Sequence, residues 1–167
     1  CSSLTKMIIP SSVESIGNCA FYKCKELTQV TINGSLKLIE NSLFNGCLKL
    51  ENIEIPNTVT SIGYSSFKNC QFLTKIILPS QVYSIGDSAF YNCSSLSEIS
   101  IPEGLISIGN SAFRRCSSLT KIYIPYSLKS IGKYVFKYCS SLKEISIPYG
   151  LYIKHKINLI NVNKNFY

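Results

Sequence analysis

The sequence predicts an α/β solenoid of stacked 23-residue coils, each giving one short strand to a parallel sheet, then a turn, then a short helical segment. Three observations predict it. Pro10, Pro56, Pro79, Pro102, Pro125 and Pro148 fall on one multiple of 23, and only Asn33 breaks the column. Phe21, Phe44, Phe67, Phe90, Phe113 and Phe136 fall on a second without exception. Apolar residues alternate just before each proline, as in Ile99-Ser100-Ile101, which is the period of a half-buried strand. A strict repeat of this length marks units that bury their apolar edges against their neighbours.

The best-formed unit runs from Pro79 to Ile101 and reads PSQVYSIGDSAFYNCSSLSEISI. Its strand residues are Leu96, Ile99 and Ile101; the proline that follows lacks a backbone donor and ends the strand. Seven such runs recur, the first around Met7 and Ile9, and stacked they make one parallel sheet. Past the proline, Val82 and Ile85 point inward again, and Gly86 permits a sharp change of direction. From Asp87 to Cys93 the spacing predicts a single helical turn capped by the Asp or Asn at its start. Ala89, Phe90 and Cys93 then share one face. Each phenylalanine stabilises its coil by roughly 1.5–3 kcal/mol through burial, and stacked rings suit offset aromatic contacts. The second unit carries Asn33 for proline and Glu40 for glycine, which predicts looser turns there.

Residues 1–151 are thus expected to form the solenoid, about six full repeats after a partial first one. After Leu151 the register fails, and Lys154 stands where an isoleucine belongs. Residues 152–167 read as an irregular tail or as a degenerate final coil with Leu159 and Val162 in the phenylalanine and cysteine positions. Cys1 already stands in register, and neither end carries a polar cap. The chain therefore reads as part of a longer array, or as one that pairs through an end.

Seven of the eight cysteines, Cys1, Cys24, Cys47, Cys70, Cys93, Cys116 and Cys139, occupy one repeat position. Free cysteine behaves as a small, readily buried hydrophobe. Side chains stacked in parallel are poorly placed for a disulfide, and neither CxxC pairs nor a histidine stand ready to hold zinc. The column reads as reduced, buried thiols. Cys19 lies outside it, among Ser42, Ser65, Ser88 and Ser111, and is expected at the surface.

The segments IPSSVESIGNCAFYKC, ILPSQVYSIGDSAFYNCSSL and IPEGLISIGNSAFRRCSSL resemble the BspA-like class of leucine-rich repeats. The resemblance covers nearly all of residues 1–151. It implies a leucine-rich-repeat solenoid, a role in protein binding or adhesion, and a place at the cell surface. A column of unpaired thiols fits a reducing, cytoplasmic setting as comfortably.

Catalytic chemistry finds little footing. His155 is the single histidine, set between two lysines beyond the repeats. The nine carboxylates are scattered, with Glu51 and Glu54 the nearest pair on the expected sheet face, and they read as solubilising charges. No phosphate-binding glycine loop is present. No cofactor and no metal site is expected, and the sequence reads as a non-enzyme. No apolar run reaches the roughly 18–20 residues that cross a bilayer, and no signal sets an oligomeric state.

What varies between repeats is the outward face of the strands, the natural place for a protein or glycan ligand. Lys121 and Tyr123 on one strand, with Tyr126 and Tyr149 just past consecutive prolines, are the candidate binding residues. Tyrosine offers rigid, amphipathic contact area, although it also simply favours strands. Net charge is +8, and residues 105–143 hold seven basic side chains and no acid. That stretch supports an alternative function: binding a polyanion such as a sulfated glycan, nucleic acid or anionic lipid. Arg114, Arg115 and Lys137 are its candidate residues, on the side away from the sheet; a merely solvated basic face is the plainer reading.

Overall fold

The computed structural model describes residues 1, 3–150 and the backbone of 163–166. In chain order the strands of the first half are β1 (Lys6–Ile9), β2 (Gln29–Ile32), β3 (Leu38–Ile39), β4 (Asn52–Ile53), β5 (Ser61–Ile62), β6 (Lys75–Ile77) and β7 (Ser84–Ile85). Those of the second half are β8 (Glu98–Ser100), β9 (Ser107–Ile108), β10 (Lys121–Tyr123), β11 (Ser130–Ile131), β12 (Glu144–Ile147) and β13 (Asn163–Phe166). From β2 to β11 each coil therefore supplies two strands, where the sequence pattern announced one, while the first coil supplies β1 alone.

The expected strands stack in parallel at one full repeat, with Lys6 opposite Gln29 and Lys121 opposite Glu144. Their ladder is hydrogen-bonded in three segments, β1-β2-β4, β6-β8 and β10-β12-β13, and is not the single unbroken sheet expected. The backbone of β13 joins β12 in a shorter register, Glu144 opposite Asn163. The Ser-Ile pairs, with Leu38–Ile39 in their place in β3, build a second parallel sheet, β11-β9-β7-β5-β3, without interruption.

Between the two sheets lies one apolar core. Leu50, Leu73, Leu96 and Leu119 form one buried column; Ile62, Ile85 and Ile108 form another. The phenylalanines form the third, with successive ring centroids 5.3–6.0 Å apart and rings within 19° of parallel. Val13 and Ile16, in the first coil, are only partly buried.

The helical segment expected in each repeat is replaced by a run of turns. Within one coil, the N–H groups of Ala89, Tyr91 and Cys93 donate back to Gly86, Ser88 and Phe90, at 3.3, 3.0 and 3.2 Å. The N–H groups between them, of Ser88, Phe90 and Asn92, donate instead to Asn110, Ala112 and Arg114 of the next coil, each at 2.8 Å. A helix would keep all six donors inside its own segment, whereas the stack needs every second one. Ser88 (φ 55°) and Asn92 (φ 60°) take the left-handed conformation that this alternation requires, and their equivalents in other coils do the same.

The Asp/Asn position accordingly caps the neighbour and not its own turn. Asp87 Oδ1 accepts the N–H of Asn110 at 2.7 Å, and Asn110 Oδ1 accepts that of Lys133 at 2.8 Å. The glycine before it has a different reason from the one its sequence suggests. A Cβ on Gly109 would come within 2.4 Å of the Asp87 nitrogen and 2.6 Å of the Gly86 carbonyl carbon. Close coil-to-coil approach, and not a special dihedral angle, excludes a side chain there.

Candidate functional site

Three features of the coil have chemical character: the thiol column, the outward sheet face, and the turn edge that carries the arginines.

The thiols are structural. Cys24, Cys47, Cys70, Cys93, Cys116 and Cys139 are buried, Cys1 and Cys19 are exposed, and all eight are free. Cys93 Sγ donates to the Phe67 carbonyl at 3.1 Å, and Cys47, Cys70, Cys116 and Cys139 repeat the bond on their own preceding coils at 3.0–3.2 Å. The Phe67 carbonyl already accepts the Cys70 N–H at 3.1 Å. The thiol fills its second lone pair, which would otherwise be buried unmet. Burial, reinforced by the neighbouring thiol, pushes Cys47 up to about 12, and burial alone raises Cys139 to about 12. Cys70, Cys93 and Cys116 rise well above the ordinary thiol range for the same reasons, burial first. Such thiols stay protonated and poorly nucleophilic. Among the described residues, no group of three His, Cys, Asp or Glu side chains is placed to hold a metal ion.

On the sheet face, alternate residues of each strand stand outward. One outward column runs Ile8, Thr31, Glu54, Ile77, Ser100, Tyr123, and all are exposed. Ile8 is 68% and Ile77 57% exposed. The next column runs Lys6, Gln29, Asn52, Lys75, Glu98, Lys121, Glu144, and its charges alternate in sign along the second half. Lys75 Nζ meets Glu98 Oε1 at 2.9 Å, and Lys121 stands in register with Glu144. A trough of about 660 Å³ crosses β2, β4 and β6, where the ladder between β4 and β6 is interrupted; Gln29, Thr31, Asn52, Lys75 and Ile77 line it.

Lys121 and Tyr123 share the outward face of β10, while Tyr126 and Tyr149 lie exposed past the prolines that end β10 and β12. Ile8 and Ile77 fall on the outward strand face that the alternation marks for binding, though not among the candidate residues, and the trough was not expected. The available signal was the pair of isoleucines in a column otherwise polar or aromatic.

The basic stretch 105–143 is divided among several elements. Lys121 belongs to the sheet face, beside Glu144. Arg114, Arg115 and Lys137 sit on the turn edge with Tyr91 and Tyr138. The Arg114 guanidinium lies 5.8 Å from the Tyr91 ring centroid and 5.3 Å from that of Tyr138. Arg115 is 6.0 and 5.7 Å from the same two rings. Lys137 Nζ lies 5.1 Å from the Tyr138 ring and Lys68 Nζ 5.3 Å from that of Tyr91. His155 and the tail positions Leu159 and Val162 lie outside the described residues.

Parallel strands at one repeat, a leucine column and a turn-built return define a leucine-rich repeat solenoid. The signature of the BspA type leucine rich repeat region matches in six copies over residues 1–84 and 60–157, and the chain belongs to that family. It is similar to a leucine-rich repeat protein from Bacteroides ovatus, 38% identical with a TM-score of 0.86, over 91% of this chain and 39% of that one. A leucine-rich repeat protein from T. pallidum is 28% identical, TM-score 0.64, over 88% of this chain and 60% of that one. A leucine rich cell surface protein from Faecalibacterium prausnitzii, 23% identical with a TM-score of 0.65 over 99% of this chain and 60% of that one, shares the fold. The chain thus spans 39–60% of the length of these three proteins. No curated protein matches it. Among the described residues, no helix is long and apolar enough to cross a membrane.

Proposed function

We propose that the chain is a non-enzymatic protein-interaction module, part of a surface-associated, adhesin-like array, which binds a protein ligand through its sheet face. The observation that carries this reading is the outward column itself. Large side chains, Ile8, Ile77 and Tyr123, stand exposed on strands whose inward neighbours are fully engaged in the core. Exposed apolar side chains in line on a rigid surface are the usual substance of a protein interface, with aromatic anchors supplying much of its energy. Tyr126 and Tyr149 extend the same surface past the prolines. The face is charge-balanced by its Lys–Glu alternation, so its binding owes little to net charge and resists salt.

A glycan ligand uses the same tyrosines by stacking on their rings, and stands as the second reading of this face. Surface location rests on family membership and on the description of the Faecalibacterium neighbour as a cell surface protein. The test is binding of the purified chain to a panel of extracellular matrix proteins at low and high salt. Salt-resistant binding, lost in Tyr123→Ala/Tyr126→Ala, is the expected result. Binding to no member, or binding indifferent to that double substitution, contradicts the proposal.

A further inference from the structure

On the turn edge, three cations crowd one aromatic ring. Arg114, Arg115 and Lys137 lie 5.3, 5.7 and 5.1 Å from the Tyr138 centroid. Among the described residues, the ion pairs formed are Lys49–Glu26 and Lys75–Glu98, so no carboxylate neutralises this group. Like charges held this close repel, and the ring quadrupole offsets only part of that cost. The arrangement is nevertheless well held. Arg114 lies against two rings, and its Nε is buried without a partner, which leaves the outer guanidinium N–H groups to donate. Arg115 (φ 64°) and Tyr138 (φ 67°) occupy the left-handed position that Gly46, Asn69 and Asn92 fill in the three coils before them and Lys23 (φ 56°) fills in the first. Asparagine and glycine tolerate that conformation better than bulky residues do.

We propose that Arg114, Arg115 and Lys137, set by Tyr91 and Tyr138, form a subsite for the sulfate groups of a sulfated glycan. Tetrahedral oxyanions match the planar fork of arginine, which can donate two parallel hydrogen bonds to one group. Stacking on tyrosine pre-orders the forks and lowers the entropic cost of binding. Nucleic acid fits less well. Single strands bind through bases stacked on bare aromatic rings, and here both rings already carry cations. The subsite is separate from the sheet face, and neither proposal depends on the other.

The probe is dextran sulfate, with unsulfated dextran, inorganic sulfate and a single-stranded oligonucleotide as comparison arms, over salt from about 50 to 300 mM. The expected result is saturable binding of dextran sulfate, none of dextran, and weaker binding of inorganic sulfate at the same residues. In Arg114→Gln/Arg115→Gln the affinity falls about tenfold or more, and the slope of log K against log salt flattens by about two. Lys25→Gln/Lys37→Gln, which removes the same charge elsewhere, leaves binding unchanged. Lys137→Gln, on an exposed side chain, repeats the loss if the arginine variant fails to fold. Equal losses in both double variants would reduce the effect to net charge and overturn the proposal. No binding at low salt, or tighter binding of the oligonucleotide, would overturn it as well.

Discussion

At the scale of single residues, inward and outward positions differ sharply in what they contribute. Phe90 is fully buried between Phe67 and Phe113, with centroids 5.3 Å away on either side. Phe90→Ala is expected to cost about 3–5 kcal/mol, because the rigid stack cannot close over the cavity. Its neighbour Tyr91 faces outward beneath Lys68 and Arg114, and Tyr91→Ala should cost under about 1 kcal/mol. Urea unfolding of the two variants checks this, and equal losses would contradict the assignment of faces. The thiols make a second prediction. Below their ordinary value of 9.0, folded and unfolded chains both keep the protons and stability does not respond. Above it, the unfolded chain sheds protons that the folded core retains up to about 12 at Cys47 and Cys139. The native state then binds more protons, so stability falls as pH rises. Melting temperature should hold to about pH 9 and drop steadily beyond, less steeply in Cys93→Ala. An alkylating reagent should label only Cys1 and Cys19 in the native protein.

At the scale of the element, the decisive interaction is the approach of one coil to the next. A Cβ on Gly109 meets backbone of the preceding coil at 2.4 Å, whereas one on Gly104 meets only the Ser80 carbonyl oxygen at 3.4 Å. Gly109→Ala should therefore destabilise by about 1–3 kcal/mol or more, since backbone cannot move aside as a side chain can. Gly104→Ala should change stability by less than about 1 kcal/mol, and chemical unfolding distinguishes the two. This glycine column was visible in the sequence, but its cause was not. The same holds for the segment from Asp87 to Cys93. Its Phe and Cys spacing suits a helical face, and its Asp suits a cap. Yet half of its donors are claimed by the following coil, a demand that no local pattern records. The Ser-Ile strands are likewise too short for alternation to reveal them. They exist because stacking at a fixed repeat brings Ser61 against Ser84, whose hydroxyls lie 2.6 Å apart.

At the scale of the whole molecule, the repeat itself was fully legible. Each inward residue type is dictated by the identical position above and below it, so period and core coincide. The functional surfaces were less legible, because a solenoid leaves its outward positions free to vary and sequence order does not follow spatial order. The repeat register already sets Lys121 on the sheet face and Arg114, Arg115 and Lys137 on the side away from it; what it does not record is which side chains meet there. Folding sends Lys121 to a charge-balanced sheet and gathers Arg114, Arg115 and Lys137 around a tyrosine on another edge. Two surfaces of different make-up result: a charge-balanced sheet face with exposed isoleucines and a tyrosine, and an edge where three cations surround one tyrosine ring.

The most direct measurement follows from that division. One matrix protein bound by the wild type would be titrated at high salt against Ile77→Ala/Tyr123→Ala and against Arg114→Gln/Arg115→Gln. The account predicts that the sheet-face variant loses binding and the turn-edge variant keeps it. Retention by the first and loss by the second would contradict the sheet face as the protein-binding surface.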